Sequence, residues 1–242
     1  MSGHSKWATT KHKKAIIDAK RGKIFTKMAK LVTIAARDGK SGDPSMNPSL
    51  RMAIENAKAA SMPKDNIERA IQRGIGGGNA AQIEEITYEV YAPGGVALLI
   101  ECLTDNKNRT LGEIKAILNK SGGSLATAGS VGYLFKKIGQ IIIDESKNEQ
   151  KGESLEMAII DSGADDFDKE DGVYIVSCEF SNLHQVRTSM VDAGVVIESA
   201  EPVQEALTLI ELPEDKKTSV LNMIDKIDEL DDVSNVFTNL QL

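Results

Sequence analysis

YLFKKIGQIII (residues 133–143) is a β-branched run, and five further segments follow it: ESLEMAIIDS (153–162), ADDFD (164–168), GVYIVSC (172–178), NLHQVRTSMVDA (182–193) and VVIESA (195–200). Apolar residues sit close together in the strand-like segments. In the two intervening segments they recur every three or four residues, the spacing of one buried helical face. The order is β-α-β-β-α-β, which predicts a ferredoxin-like sheet with two helices packed on one side. Outward from this block, Ile86–Tyr91 and Val96–Leu103 flank the turn Ala92-Pro93-Gly94-Gly95 and predict an antiparallel hairpin. A helix over 108–119 follows, with Leu111, Ile114, Ile117 and Leu118 inward and Gly122-Gly123 as its stop. On the far side, strand 206–212, helix 214–229 and strand 233–238 form a β-α-β fragment. Each flank looks incomplete alone, and together they complete one unit. The predicted class is therefore α+β, with a middle α/β domain of ferredoxin-like type made from residues 79–132 and 201–242. The block 133–200 is inserted into it as a second such domain.

Residues 1–78 read differently. Phe25, Met28, Val32 and Ala35 mark one helix, with Gly39 as its C′ stop. Asn47-Pro48 caps the next, whose stripe is Leu50, Ala53, Ile54 and Ala57. Pro63 opens a third, with Ile67, Ala70 and Ile71 inward and Arg69 and Arg73 outward. An earlier helical pattern runs through Ala15, Ile16 and Ala19. The expectation is a small basic helical bundle with a flexible N-terminal tail. Gly74-Ile75-Gly76-Gly77-Gly78 then reads as a hinge; a phosphate cradle of backbone amides is the alternative.

Charge divides the chain in the same place. Residues 1–78 hold 16 Lys/Arg against 6 Asp/Glu, a net of +10, and the other 164 hold 13 against 30, a net of −17, giving −7 in all. A basic end on an acidic body should present one face to a polyanion while the remainder repels it. Lys6, Lys11, Lys13, Lys14, Lys20, Arg21, Lys23, Lys27 and Lys30 are dense enough to follow a phosphate backbone, which supplies affinity and position but no base code. Trp7 either stacks on an unpaired base or packs on the bundle. His4 and His12 have no carboxylate or thiol beside them, so they read as donors to phosphate or base and not as metal ligands. His184 reads as a surface residue.

The segment Thr104-Asp105-Asn106-Lys107-Asn108-Arg109-Thr110 lies at a strand-to-helix junction. Asn106, Lys107, Asn108 and Arg109 make it a candidate secondary anion site, although Asp105 and Asn106 also fit as plain caps. Asp165, Asp166, Asp168, Glu170 and Asp171 read as solvated turn charge. Cys102 and Cys178, the two cysteines, lie in apolar runs and read as buried thiols in a reducing compartment. No P-loop, dinucleotide fingerprint, H-E-x-x-H or nucleophile elbow occurs, so the expectation is no enzyme, no cofactor and no metal. No apolar run approaches the ~20 residues that span a bilayer. The N-terminus has no apolar signal region, and a cytoplasmic location is expected.

Gly3-His4-Ser5-Lys6-Trp7, Lys11-His12-Lys13-Lys14, Arg21-Gly22-Lys23, Met62-Pro63-Lys64-Asp65-Asn66-Ile67-Glu68-Arg69-Ala70-Ile71, Pro93-Gly94-Gly95-Val96 and Leu103–Thr110 together resemble the YebC/PmpR family. The resemblance covers essentially the full chain and is weakest over 140–242. It implies a basic helical domain and two α/β domains arranged around a cleft. Family members are described as transcriptional regulators that bind promoter DNA. A mitochondrial relative is a translational activator of cytochrome c oxidase, and bacterial members are implicated as ribosome-associated factors that relieve stalling. Carried over by resemblance, the nucleic-acid-facing residues are His4, Lys6, Trp7, Lys11, His12, Lys13, Lys14, Arg21 and Lys23, with the Asp105–Arg109 junction as a family signature.

Two readings remain open: a DNA-binding transcriptional regulator, and a translation factor on ribosomal RNA. The helices show no obvious recognition helix with Arg, Asn or Gln at base-reading spacing, which suits recognition of shape or backbone. Strand 172–178 offers only Tyr174 for stacking. Expected partners are promoter DNA or ribosomal RNA, with ribosomal proteins or RNA-polymerase-associated proteins beside them, and no membrane. A scaffold docking an acidic protein or membrane surface is the third reading. A monomer is slightly favoured.

Overall fold

The computed structural model describes residues 21–76 and 83–241. The described chain is α+β, with seven α-helices and two antiparallel four-stranded sheets.

The first three helices are α1 (Arg21–Asp38), α2 (Pro48–Ala59) and α3 (Lys64–Ile75). Their stripes meet in one core of Val32, Ala36, Leu50, Ile54, Ala57, Met62, Ile67 and Ala70. Asn47 caps α2, its side chain accepting from the Leu50 N–H at 3.0 Å, while its amide donates to the Ala35 carbonyl at 2.8 Å. Gly39 makes room for that amide: a Cβ there would lie 2.0 Å from Asn47 Nδ2. The left-handed residue after α1 is Lys40 (φ 49°) and not Gly39, so Gly39 serves close approach where a helix stop was expected. Gly74 also departs from expectation. It lies inside α3, where a Cβ would meet the Thr33 carbonyl at 2.4 Å and Ala36 Cβ at 2.8 Å. Its role is to let α3 cross α1 closely. The later part of the glycine run, from residue 77, lies outside the described residues.

The middle sheet contains β1 (Glu84–Tyr91), β2 (Ala97–Thr104), β3 (Ser124–Leu125) and β8 (Val233–Thr238), in the order β3-β1-β2-β8. Helices α4 (Lys107–Ser121) and α7 (Glu214–Asp228) cover one face, meeting Leu98, Ile100 and Cys102 of β2 through Ile114, Leu118, Met223 and Ile224. Alternate residues of β2, Ala97 and Leu99, point the other way and join Phe237 against Phe135, Ile138 and Val203 of the second sheet. A strand covered on both faces is apolar where it is covered, as β2 is from Ala97 to Ile100.

The second sheet is built from β4 (Phe135–Asp144), β5 (Asp166–Glu170), β6 (Val173–Glu179) and β7 (Ser199–Ala206), with helices α5 (Glu153–Asp161) and α6 (Leu183–Asp192). Its order, β5-β6-β4-β7, is the ferredoxin-like one, and every pair is antiparallel. Asp171 (φ 48°) and Gly172 (φ 80°) make the β5–β6 turn, as an Asp-Gly pair with both φ values positive should.

Two expected strands shift. The strand placed at 195–200 forms instead at 199–206 as β7, and 206–212 forms no strand, contributing only the parallel bridge Ile210–Leu240. The middle sheet therefore lacks one strand of the expected β-α-β fragment. Ser199–Ala206 contains Glu201, Pro202, Gln204 and Glu205 and has little strand character of its own; pairing with β4 creates it. Pro202 is tolerated because β7 is an edge strand. Tyr174 is fully buried, so it gives the sheet no stacking surface.

Candidate nucleic-acid interface and interdomain cleft

His4, Lys6, Trp7, Lys11, His12, Lys13, Lys14 and Lys20 lie outside the described residues. Arg21 and Lys23 fall in the first turn of α1. Below them α1 turns its cations towards the middle domain. The Lys27 ammonium donates to Asn235 Oδ1 at 2.8 Å, and Asn235 in turn donates to Glu101. Lys30 donates to the carbonyls of Leu103 (3.0 Å) and Asp231 (3.1 Å) and to Asp232 Oδ1 (2.9 Å). Both lysines were expected on a phosphate track; in the structure they hold α1 to the acidic body. The reason is local, since a carboxylate and two carbonyls outcompete water for a half-buried ammonium.

Asp232 is the centre of this contact. It is buried (6% exposed), and its second oxygen accepts from Arg109 Nη2 at 2.6 Å, Thr104 Oγ1 at 3.0 Å and Thr110 Oγ1 at 2.9 Å. Burial alone would raise its pKa. The hydrogen bonds from Arg109, Lys30 and Thr110 outweigh it and hold the carboxyl near about 2. Three separate stretches of chain meet here: α1, the β2–α4 junction and the approach to β8.

The 104–110 junction is thereby accounted for. Thr104 Oγ1 accepts the Asn106 N–H, Asn106 caps α4 by accepting from the Arg109 N–H at 3.1 Å, and Arg109 pairs with Asp105 at 2.9 Å as well as with Asp232. Lys107 pairs with Glu84 at 2.6 Å, and Asn108 is exposed. Of the proposed anion set, then, Asn106 is a cap and both cations already face protein carboxylates. The plain-cap alternative describes this geometry, with the addition of an interdomain partner 128 residues away from Thr104. Nothing in the spacing of the motif signals Asp232.

Above the lock a cleft of about 920 Å³ opens between the helical domain and the middle domain, lined by Thr26, Lys30, Arg73, Asp105, Arg109 and Glu113 among others. A smaller groove of about 240 Å³ runs between α1 and α3. The helical domain also touches the second sheet: Asn56 exchanges hydrogen bonds with Ala200 (2.9 and 3.3 Å), and Arg187 pairs with Glu55 at 2.8 Å. His184 is exposed. Burial, the leading cause, pushes the Cys102 thiol to about 12 and the Cys178 thiol to about 11. The loop at Gly129 wraps Glu89, whose carboxylate accepts the N–H groups of Gly129 (2.6 Å) and Gly132 (3.0 Å). Among the described residues no group of three His, Cys, Asp or Glu could hold a metal, and no helix is long and apolar enough to cross a membrane.

The family domain described as the TACO1/YebC protein N-terminal domain matches residues 5–77, and that described as the TACO1/YebC second and third domain matches residues 83–240. The chain belongs to the TACO1/YebC family. A relative from Chloroflexus aggregans is 47% identical over 242 residues, covering 100% of this chain and 96% of its own length, and is named a probable transcriptional regulatory protein. One from Thermobifida fusca bears the same name at 46% identity, with the same coverage. Among solved structures, the conserved hypothetical protein Aq1575 of Aquifex aeolicus superposes with a TM-score of 0.90 at 40% identity, over 98% of this chain and 96% of that one. In this YebC-family chain, the signature Leu103–Thr110 is the half of the interdomain lock that accepts Lys30 and surrounds Asp232.

Proposed function

We propose that this chain is a non-enzymatic regulator that acts through nucleic acid, as a DNA-binding transcriptional regulator of the kind its relatives are named for. The observation that carries the reading is the net +10 of residues 1–78 on a chain of net −7. The contact surface is His4, Lys6, Trp7, Lys11, His12, Lys13, Lys14, Lys20, Arg21 and Lys23, with cytoplasmic nucleic acid as the partner and no cofactor. Lys27 and Lys30 contribute indirectly, by fixing the helix from which this surface extends. Binding of the full chain to promoter and scrambled duplexes at about 150 mM salt tests it. The variant K6Q/K11Q/K13Q/K14Q/K23Q is expected to lose most affinity; unchanged affinity for both duplex DNA and ribosomes overturns the reading.

One observation favours ribosomal RNA as the alternative target. Helix α1 is tied at its middle to the middle domain through Lys27 and Lys30, so it is not a free helix for a major groove. Contact made by a basic segment beside a docked helix suits shape and backbone recognition. Co-sedimentation with ribosomes that depends on residues 1–23 supports this target, and its absence after cross-linking removes it.

A further inference from the structure

The cations of the helical domain divide into two populations. Lys27 and Lys30 face the middle domain, Arg37 bonds Asp38 at 2.7 Å, and Arg51 donates to the carbonyls of Pro44 and Ser45. Lys64 has Glu68 at 3.5 Å, one turn along α3. Lys40 and Lys58 are exposed, without a partner among the described residues, and line neither cleft; Arg69 and Arg73 differ in lining the α1–α3 groove. Arg69 donates only to neutral oxygens, the side chain of Asn66 and the carbonyl of Asp65. Arg73 is exposed and has neither an ion pair nor a hydrogen bond among the described residues. Among the described residues both guanidinium charges therefore stand without a carboxylate.

Their placement is not accidental to the packing. Gly74 against Ala36 and the Thr33 hydroxyl donating to the Ala70 carbonyl at 3.1 Å fix the rotation of α3 on α1. With Ala70 and Gly74 turned inward, Arg69 and Arg73 line the open α1–α3 groove with Asn66. Four residues apart, they lie on one face with neighbouring side chains. The opposite wall of the groove is Phe25, Thr26 and Ala29 of α1, immediately after Arg21 and Lys23. Arg73 also lines the larger cleft, at the join between the two.

We propose that Asn66, Arg69 and Arg73 form a phosphate-binding row on α3, in the α1–α3 groove, that adds to the contacts made by residues 1–23. This rests on the nucleic-acid reading above and deepens it. Two guanidinium forks on one helical face bind successive phosphates of a single strand bidentately, with Asn66 released from Arg69 to donate beside them. The ligand chemistry is a polyphosphate backbone, whether from duplex DNA or from folded RNA.

The test uses the full chain, a random-sequence DNA duplex and a folded RNA hairpin, with affinity measured across salt concentrations. The variant R69Q/R73Q is expected to lower the magnitude of the log–log salt slope by about 1.8 on duplex DNA, two contacts' worth, with a smaller drop on RNA. The charge-matched variant K216Q/K217Q, on the acidic body, should leave the slope unchanged. A drop confined to one probe supports the row and identifies its source of phosphate. If the unaltered chain binds with a salt slope that R69Q/R73Q retains on both probes, the row is refuted and the wider reading stands. If the unaltered chain binds neither probe, the wider reading fails and takes the row with it. Equal thermal midpoints for the variants, expected for exposed side chains, show that fold is not the cause.

Discussion

Lys30 of α1 ends on three acceptors of the middle domain, whereas Arg73 of α3 meets solvent with no partner among the described residues. The two helices belong to one small core and both carry cations at helical spacing. Their charges nevertheless do opposite things. On α1, Lys27 and Lys30 are spent on the acidic body and bind the domains together; on α3, Arg69 and Arg73 remain available to an outside anion. The net charge of a segment therefore overstates what it can offer a ligand, because part of it is consumed inside the molecule.

Removing the acceptor should have the largest effect. D232A leaves Lys30 and Arg109 facing each other without their shared carboxylate, and a loss of about 3 kcal/mol is expected in urea denaturation. A result near zero would mean that the lock does not hold the domains. The same group predicts an acid dependence. Its pKa is lowered from 3.8 to about 2 in the fold, so its contribution is complete above about pH 4. It is lost as pH falls from there towards 2. In D232N that part of the pH–stability curve should flatten.

A smaller effect is expected where α3 crosses α1. In G74A the new methyl meets the Thr33 carbonyl, and the overpacking should cost about 1–3 kcal/mol, although alanine favours a helix by roughly 1 kcal/mol over glycine. A thermal melt that rises would show that the crossing is slack. On the solvent side of the same helix, R69Q/R73Q should move stability by less than about 0.5 kcal/mol, which sharpens the contrast between cations that hold the fold and cations that do not. The least perturbing measurement is thiol reactivity. With Cys102 near about 12 and Cys178 near about 11, alkylation at pH 8 should be slow in the native chain and fast in denaturant.

Helix spans, the β-α-β-β-α-β order, the cap at Asn47 and the Asp-Gly turn at 171–172 could all be read locally, because each depends on periodicity or on one residue's own backbone preference. The strand Ser199–Ala206 could not. Its polar composition argues against a strand, and the apolar stretch after it, Leu207–Leu212, argues for one that does not form. Strand pairing is a tertiary event that overrides local preference at a sheet edge.

The candidate site divides along the same line. The amino-acid order alone established a basic front and an acidic body, since charge needs no geometry to be counted, and its motifs placed the chain in its family. Which cations stay free was decided only by folding. The partner of Lys30 lies 202 residues away, and no local pattern encodes a contact at that separation. Burial of Asp232 among Arg109, Thr104 and Thr110 turned a stretch resembling an anion site into a lock between domains, because a buried carboxylate must be met by every donor within reach.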